Sequence, residues 1–390
     1  MNVYVLNLAR ELGLAGVQVD VFSREHEAPS VAVTDLGPGT RLIHIEAGPT
    51  DAPKSDLAGY LPDFLEGVRA FAAREGAVYD VIHSHYWLSA HVGLDLAALW
   101  GVPHVATFHT LAEVKRMARA GEREPLLRTA VEERVAGAAD AIVVSDGHER
   151  DLLERLYGAT PGRVHVIPGG VDLDRFKPVG RAEARKELGL NGEQVLLFVG
   201  RLDPLKGVEL LLQGAALLEE RHNIRIIIVG GDLERDPEVP RLTSLAAELG
   251  IADRVRFEGA VPQERLPWYY GAADLLVAPS YYESFGLTVL EAMACGTPVV
   301  AARAGGLRSL VRDGETGYLV PWHCPDSFAQ RIEVLLAHQD LRDRMGHAGI
   351  QRAQDLTWGA MAMAVAALYK GLGKGGTGRP SGGALKDKGG

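Results

Sequence analysis

The chain of 390 residues has little cysteine, few aromatic residues and no long apolar run. Its two cysteines, Cys295 and Cys324, are too few for a disulfide framework, which favours a reducing compartment. It contains no run of about 18 apolar residues, and its amphipathic start lacks the basic segment of a signal peptide, so no membrane span is predicted. We therefore expect a cytoplasmic protein.

Basic residues are also scarce relative to acidic ones: 41 Lys and Arg stand against 51 Asp and Glu, for a net charge of −10. A general nucleic-acid binder would need the opposite excess, so no nucleic-acid partner is expected. A hydrophobic share of 47% and a charged share of 24% are typical of globular proteins. At about 100–200 residues per domain, the length predicts two domains.

Short β-branched segments alternate with helical patterns along most of the chain, which predicts parallel βαβ units. We therefore expect an α/β fold of two doubly wound, Rossmann-like domains that face each other across a cleft. The first predicted element is a helix from Asn2, whereas such a domain ordinarily opens with a strand and a Gly-rich turn, so its first strand is expected to be missing. The expected parts are a first domain (1–172), a second domain (190–355), a helix that packs back on the first domain (356–372) and a disordered tail (373–390).

The densest motif is YYESFGLTVLEAMACGTPVV, which begins at Tyr281. Glu283 lies in the loop after a predicted strand, and Glu291 lies one to two turns into the next helix. A helix N-terminus at the carboxyl end of a strand favours an anionic ligand, and a carboxylate further along can accept two vicinal hydroxyls, as ribose presents. A capping loop and a solvated Glu would explain either residue alone, but the whole block indicates a ligand site.

A second motif, FVGRLDPLKG, begins at Phe198. A buried strand ends at Gly200, and Arg201 and Lys206 precede the next helix. Two cations on such a loop suit a diphosphate, with bidentate geometry from Arg and a point charge from Lys. A pair of surface cations is the alternative.

The segments VIHSHYWLS and PHVATFHT each end a predicted strand with polar groups, which places His85, Tyr86, His109 and Thr110 on the inner rim of the first domain. Zinc is a competing interpretation, but no His or Cys pair has the spacing of a metal site, so no metal is expected. Arg128 and Glu132 are four residues apart on a predicted helix. They are expected to form an ion pair worth about a few tenths of a kcal/mol.

With these motifs the chain resembles the family 4 retaining glycosyltransferases, which have the GT-B fold. The resemblance covers roughly residues 1–372 and rests on GRLDPLKG, on ESFGLTVLEAMACGTPVV and on the hinge segment GVDLDRFKP. Two groups of the family are most similar in HSHYWLS and TFHTL. They are the D-inositol-3-phosphate glycosyltransferases of mycothiol synthesis and enzymes of the sucrose-phosphate synthase type.

The resemblance implies transfer of a hexose, with retention, from a nucleotide-diphosphate sugar to a hydroxyl of a small phosphorylated polyol or sugar. A UDP-sugar is the favoured co-substrate, and the chemistry would need no further cofactor. The implied catalytic residues are His109, Arg201, Lys206 and Glu283. The implied donor-binding residues are Arg201, Lys206, Val261, Glu283, Ser284, Phe285, Gly286, Leu287 and Glu291. The implied acceptor-binding residues are Asn2, Lys54, Tyr86, Thr110 and Arg128.

Two other functions fit the same motifs. An isomerase of the nucleotide-sugar 2-epimerase kind would share the architecture but would lack an acceptor phosphate site. A truncated, catalytically impaired chain would bind a nucleotide sugar without turnover. The sequence leaves the oligomeric state open, a homodimer included.

Overall fold

The computed structural model describes residues 2–25, 32–119, 121–218, 223–321 and 324–374. The chain forms two α/β domains in sequence. The helices are α1 (Asn2–Leu14), α2 (Leu61–Glu75), α3 (Trp87–Trp100), α4 (Ala112–Ala118), α5 (Leu126–Ala138), α6 (Gly147–Tyr157), α7 (Arg181–Glu187), α8 (Val208–Ala216), α9 (Glu238–Glu248), α10 (Leu266–Ala272), α11 (Leu287–Ala294), α12 (Leu307–Leu310), α13 (Pro325–Ala337), α14 (Gln339–Gln354) and α15 (Trp358–Lys374). In the described ranges, no helix is both long and apolar enough to span a bilayer.

The first domain contains two sheets. One has the order β1-β3-β2, and the other has four parallel strands in the order β4-β5-β6-β7. Their bounds are β1 (Val19–Arg24), β2 (Val33–Gly37), β3 (Thr40–Ile45), β4 (Ile82–His85), β5 (His104–Thr107), β6 (Ala141–Val144) and β7 (Val164–Val166). Every residue of β5 and β6 is buried, as expected for parallel strands covered by helices on both faces.

The expectation of parallel units is wrong for β2 and β3, which pair antiparallel. Only Pro38 and Gly39 connect them, and so short a connection permits a hairpin but no crossover. Gly39 has φ +64°, a left-handed conformation that glycine adopts without strain.

The second domain is built on one parallel sheet of six strands in the order β10-β9-β8-β11-β12-β13. Their bounds are β8 (Gln194–Val199), β9 (Ile224–Val229), β10 (Val255–Gly259), β11 (Leu275–Ala278), β12 (Val299–Ala302) and β13 (Gly317–Val320). Successive side chains of a strand point to opposite faces, so β8 buries Val195 and Leu197 in one apolar core and Leu196 and Phe198 in the other.

The segment between the two expected domains, residues 173–189, is partly helical. It contains α7, whose Arg181 and Arg185 both bind the buried carboxylate of Asp274 at 2.5 and 2.8 Å. The second domain therefore includes α7, whereas the sequence placed its start at residue 190.

The chain crosses between the domains twice, at neighbouring places. The amide of Val171 donates to the carbonyl of Leu356 at 2.9 Å. A Cβ atom at Gly170 would lie 2.2 Å from the Trp358 amide nitrogen, so only glycine permits this approach. Beyond the second crossing, α15 packs its Trp358 and Val365 against Tyr4 and Leu8 of α1, on the first domain.

Helix α15 extends through Lys374, two residues into the segment 373–390 that was expected to be a disordered tail. The rest of that segment lies outside the described residues.

Candidate functional site

The two densest motifs meet where the order of the six-stranded sheet reverses. Strands β8 and β11 are neighbours. The chain that follows β8 passes to one side of the sheet and the chain that follows β11 passes to the other, which opens a crevice at the carboxyl ends of the two strands. The loop after β8 ends at Gly207, which has φ +67°, and a Cβ atom there would lie 2.3 Å from the carbonyl oxygen of Pro279. The loops after β8 and β11 are therefore packed directly on each other.

This packing brings together Lys206 from the first loop and Glu283 from the second. Lys206 Nζ lies 2.6 Å from Glu283 Oε2, and the side chains are 22% and 18% exposed. The other predicted cation, Arg201, is 82% exposed, and its nearest paired oxygen, on Asp203, is 3.9 Å away. The structure thus holds Lys206 at the crevice and leaves Arg201 extended into solvent.

Glu291 is buried in α11, with 6% of its surface exposed. Burial raises the pKa of its carboxyl to about 7, although the Tyr270 hydroxyl, which donates to Glu291 Oε2 at 2.7 Å, opposes this rise. Sequence reasoning missed Tyr270, which lies on α10 and carries no motif. Val261, half-buried after β10, packs on the core that contains Tyr270.

The loop before α11 joins the two domains through its backbone and through Ser284. The Ser284 hydroxyl donates to the carbonyl oxygen of His109, and the hydroxyl of Ser145 donates to the carbonyl oxygen of Ser284. Ser145 had no predicted role. The predicted donor loop is therefore held against the strand ends of the first domain.

The next three residues of this loop are fixed by packing. The ring of Phe285 lies close to Gly169, where an added Cβ atom would meet it at 2.9 Å. Gly286 has φ +90°, and Leu287 packs on the core shared by α1 and α15. None of these side chains carries charge, so the backbone and the apolar surface are what they offer to a ligand.

His109 lies in a neutral aromatic cluster. Its Nε2 is 3.0 Å from Nδ1 of His85, and the ring of Tyr4 meets it edge-on, with 4.8 Å between the centroids. Burial lowers the pKa of His109 well below its ordinary value and lowers that of His85 to about 3, so both rings are uncharged at neutral pH. His83 bonds Tyr369 and Thr107 through its two ring nitrogens at 2.6 and 2.8 Å, which gives it a structural role.

In the part of the chain that the structure describes, Tyr86 and His109 are the only non-glycine residues with positive φ, at 78° and 61°. Such strained backbone concentrates at functional sites. Both residues follow the ends of neighbouring parallel strands, β4 and β5.

Four of the five predicted acceptor residues are gathered at these strand ends. Lys54 Nζ and the Arg128 guanidinium lie over the ring of Tyr86, 5.7 and 5.1 Å from its centroid. Arg128 Nη2 donates to the carbonyl and hydroxyl oxygens of Thr110 at 2.7 and 2.9 Å. The fifth, Asn2, is exposed in the first turn of α1, and no hydrogen bond joins it to the other four within the described ranges.

The expected ion pair between Arg128 and Glu132 forms, but the expectation that it is worth only a few tenths of a kcal/mol is wrong, because the pair is buried. The residues are 1% and 0% exposed, and Arg128 Nε donates to Glu132 Oε1 at 2.6 Å. A signal for this was present, because positions 128, 131, 132, 135 and 136 share one face of α5 and three of them are apolar. Removing one partner of a buried pair costs far more than a few tenths of a kcal/mol.

A cavity of about 300 Å³ lies between the domains beside Glu283. That volume is at the lower end of the range for small-molecule sites, about 300–1,000 Å³. The wall from the first domain comes from α4 and α6 and includes Glu149, whose pKa burial raises to about 7. The wall from the second domain comes from residues 281–284 and 303–308. Among the described side chains, no group of three His, Cys, Asp or Glu is arranged to hold a metal ion.

Comparison with known proteins gives both domains a family. Residues 1–175 match the family model "Glycosyltransferase Family 4", and residues 180–352 match "Glycosyl transferases group 1". A D-inositol 3-phosphate glycosyltransferase 2 of Catenulispora acidiphila is 44% identical over 380 residues, which is 95% of this chain and 89% of that one. The corresponding protein of Frankia alni is 43% identical, over 95% of this chain and 94% of its own.

Solved structures agree with this result. Sucrose-phosphate synthase from Thermosynechococcus elongatus superposes with a TM-score of 0.89 and 37% identity, over 96% of this chain and 94% of that one. HepE of Anabaena, solved in complex with UDP and glucose, has the same fold with a TM-score of 0.77 at 20% identity, over 95% of each chain.

Proposed function

This chain belongs to the family 4 glycosyltransferases, as a hexosyltransferase with the GT-B fold, and we propose that it moves a hexose from a UDP-sugar to a small phosphorylated polyol or sugar. One observation carries this proposal. Lys54, Tyr86, Thr110 and Arg128 come from four separate parts of the chain and cluster at the ends of β4 and β5. Two cations, a phenol and a hydroxyl suit a phosphate group.

The names of the relatives support a phosphorylated acceptor. The curated relatives are named for D-inositol 3-phosphate, and the solved relative at 37% identity is named for sucrose phosphate. Their matches cover nearly the whole of this chain, so the parts that would hold donor and acceptor are both included.

On the donor side, Lys206 and Arg201 would neutralise the departing diphosphate. Each such preorganised charge contributes on the order of 10²–10³ in rate in a site closed to water. Glu291 would accept hydrogen bonds from the ribose hydroxyls. The residues 284–287 would hold the hexose above the uncharged ring of His109, with Glu283 beside it.

We propose that the configuration at the anomeric carbon is retained. The acceptor hydroxyl would attack from the face that the diphosphate leaves, so that the new C–O bond forms as the C–O bond to diphosphate breaks. The proton of the hydroxyl would pass to the departing diphosphate oxygen. A carboxylate nucleophile would be the alternative, but Glu113, one helical turn beyond His109, is held by Arg116.

The first test measures nucleoside diphosphate release by the purified protein. UDP-, ADP- and GDP-sugars are each supplied with D-inositol 3-phosphate, with fructose 6-phosphate, with the two unphosphorylated acceptors, or with none. We expect release to depend on a phosphorylated acceptor, with an α-linked product from an α-linked donor by NMR. Formation of an epimerised donor without acceptor would instead support the isomerase.

A variant locates the acceptor site. Lys54→Ala is expected to raise the acceptor KM at least about tenfold, because a charge-assisted phosphate contact is lost, while the donor KM stays unchanged. The matched control is Lys186→Ala, an exposed lysine on α7 of the other domain. Equal acceptor KM values for Lys54→Ala and the wild type would contradict the assignment.

A further inference from the structure

The segment before α5, residues 121–125, places a carboxylate in the cluster of predicted acceptor residues. Glu124 Oε2 accepts a hydrogen bond from Arg128 Nη1 at 2.8 Å, and Lys115 Nζ donates to its other oxygen. The same Nη1 is 3.4 Å from the hydroxyl of Tyr86. An anion thus already occupies the edge of Arg128 that faces Tyr86.

Arg128 has a second, better-buried carboxylate. Glu132 accepts from Arg128 Nε with one oxygen and from the backbone amide of Ala112 with the other, at 2.6 and 2.9 Å. Glu132 lies one turn beyond Arg128 on α5 and is 0% exposed. Arg128 therefore keeps a hydrogen-bonded carboxyl partner in the core when Glu124 moves away.

The two carboxylates also differ in how they are held. Glu132 is part of the core face of α5, whereas Glu124 lies outside any helix or strand and its side chain is 10% exposed. Burial alone would raise the pKa of Glu124, but the hydrogen bond from Lys115 and the charge of Arg128 outweigh it and hold that pKa below its ordinary value. Glu124 is therefore an ionised group that can leave without opening the core.

We propose that Glu124 is an internal counter-anion that occupies the acceptor's phosphate position on Arg128 and Lys115 and is displaced when a phosphorylated acceptor binds. This proposal rests on the proposed function. A phosphate dianion can replace the carboxylate on both cations, because it brings more charge and more acceptor oxygens. A neutral polyol cannot replace the carboxylate on these cations, so Glu124 stays in place when such a polyol binds.

The exchange has a measurable cost in affinity. The phosphate position is available only in the fraction of molecules in which Glu124 has moved away, and the apparent affinity falls by that fraction. If Glu124 stayed beside a bound phosphate, repulsion between like charges would lower the affinity in the same direction. Removing the charge of Glu124 must therefore tighten phosphate binding.

The test compares Glu124→Gln with the matched control Glu122→Gln. Glu122 is on the same segment and lies 3.8 Å from Lys115 and from Arg119, but it does not contact Arg128. For Glu124→Gln we expect a KM for the phosphorylated acceptor about tenfold below the wild-type value, with kcat, donor KM and the KM for the unphosphorylated acceptor unchanged. Inorganic phosphate should inhibit this variant about tenfold more strongly, whereas Glu122→Gln, which leaves the carboxylate on Arg128 in place, should change both values by less than about twofold.

The outcomes separate this inference from the proposed function. An unchanged or raised acceptor KM in Glu124→Gln, with the wild type dependent on acceptor phosphate, would overturn the inference alone. No dependence on acceptor phosphate in the wild type, and no inhibition by inorganic phosphate, would overturn both. If Glu124→Gln does not fold, Glu124→Asp decides. Its shorter side chain draws the charge back from Arg128, and an acceptor KM at or above the wild-type value would overturn the inference.

Discussion

Tyr270 donates a hydrogen bond to Glu291, the residue proposed to bind the ribose, and we predict that this bond sets the pH range in which the nucleotide binds. Tyr270→Phe removes only the hydroxyl that donates to Glu291 Oε2 at 2.7 Å. Glu291 stays buried, and burial is what raises its pKa to about 7. The variant therefore retains the cause that raises the pKa and loses the group that opposes it.

The size of the effect follows from that single bond. A hydrogen bond to a charged group contributes about 1.5–3 kcal/mol, and one pKa unit corresponds to about 1.36 kcal/mol. Losing the bond should therefore raise the pKa of Glu291 by about one to two units, to about 8 or 9.

The sign for binding follows from the proposed role of Glu291. Ribose hydroxyls donate to the ionised carboxylate, so the affinity for UDP should rise as the pH rises through about 7 in the wild type. In Tyr270→Phe the same rise should occur through about pH 8 or 9. At pH 7.5 the ionised fractions then differ by about three- to 25-fold, and near pH 9.5 the two affinities should converge.

Calorimetric titration of UDP between pH 6 and 9.5 checks this prediction. The control is Tyr269→Phe, which removes a neighbouring hydroxyl that bonds Glu258 at 3.1 Å and does not contact Glu291. A wild-type affinity that is equal at pH 6 and 8.5, or a midpoint in Tyr270→Phe that moves to lower pH, would refute the reasoning.

Two further predictions concern the frame of the site. Glu132→Ala leaves Arg128 buried without its core partner, so it should lower the free energy of unfolding, measured by urea denaturation, by about 3–5 kcal/mol. The control Glu133→Ala lies on the exposed face of α5 and should lower that free energy by less than about 1 kcal/mol. Equal losses would contradict the buried pair. Gly207→Ala would place a Cβ atom 2.3 Å from the backbone carbonyl oxygen of Pro279 and should raise the donor KM. The control Gly250→Ala has a similar φ of +72° but open space around it, so it should leave the donor KM unchanged.

The sequence by itself determined the fold class and the edge of each sheet at which chemistry could occur. Hydrophobic periodicity is a local property, and it predicted the two Rossmann-like domains. The motifs around Lys206 and Glu283 follow two strands, and the carboxyl ends of parallel strands meet at one edge. Their 2.6 Å contact is therefore a consequence of the chain order together with the strand order.

Only the tertiary structure decides which of the candidate site residues have a hydrogen-bond or ion-pair partner. Glu291 is paired with Tyr270 on another helix, and His109 is neutral because His85 and Tyr4 enclose it. Arg128 and Glu132 are buried because the face of α5 on which they lie is covered. The face of α5 shows a local apolar pattern, but the partners that Glu291 and His109 meet lie far from them in the chain, and no local pattern identifies those partners. The same residues that the motifs name therefore acquire their charge state, and with it their chemistry, only when the chain folds.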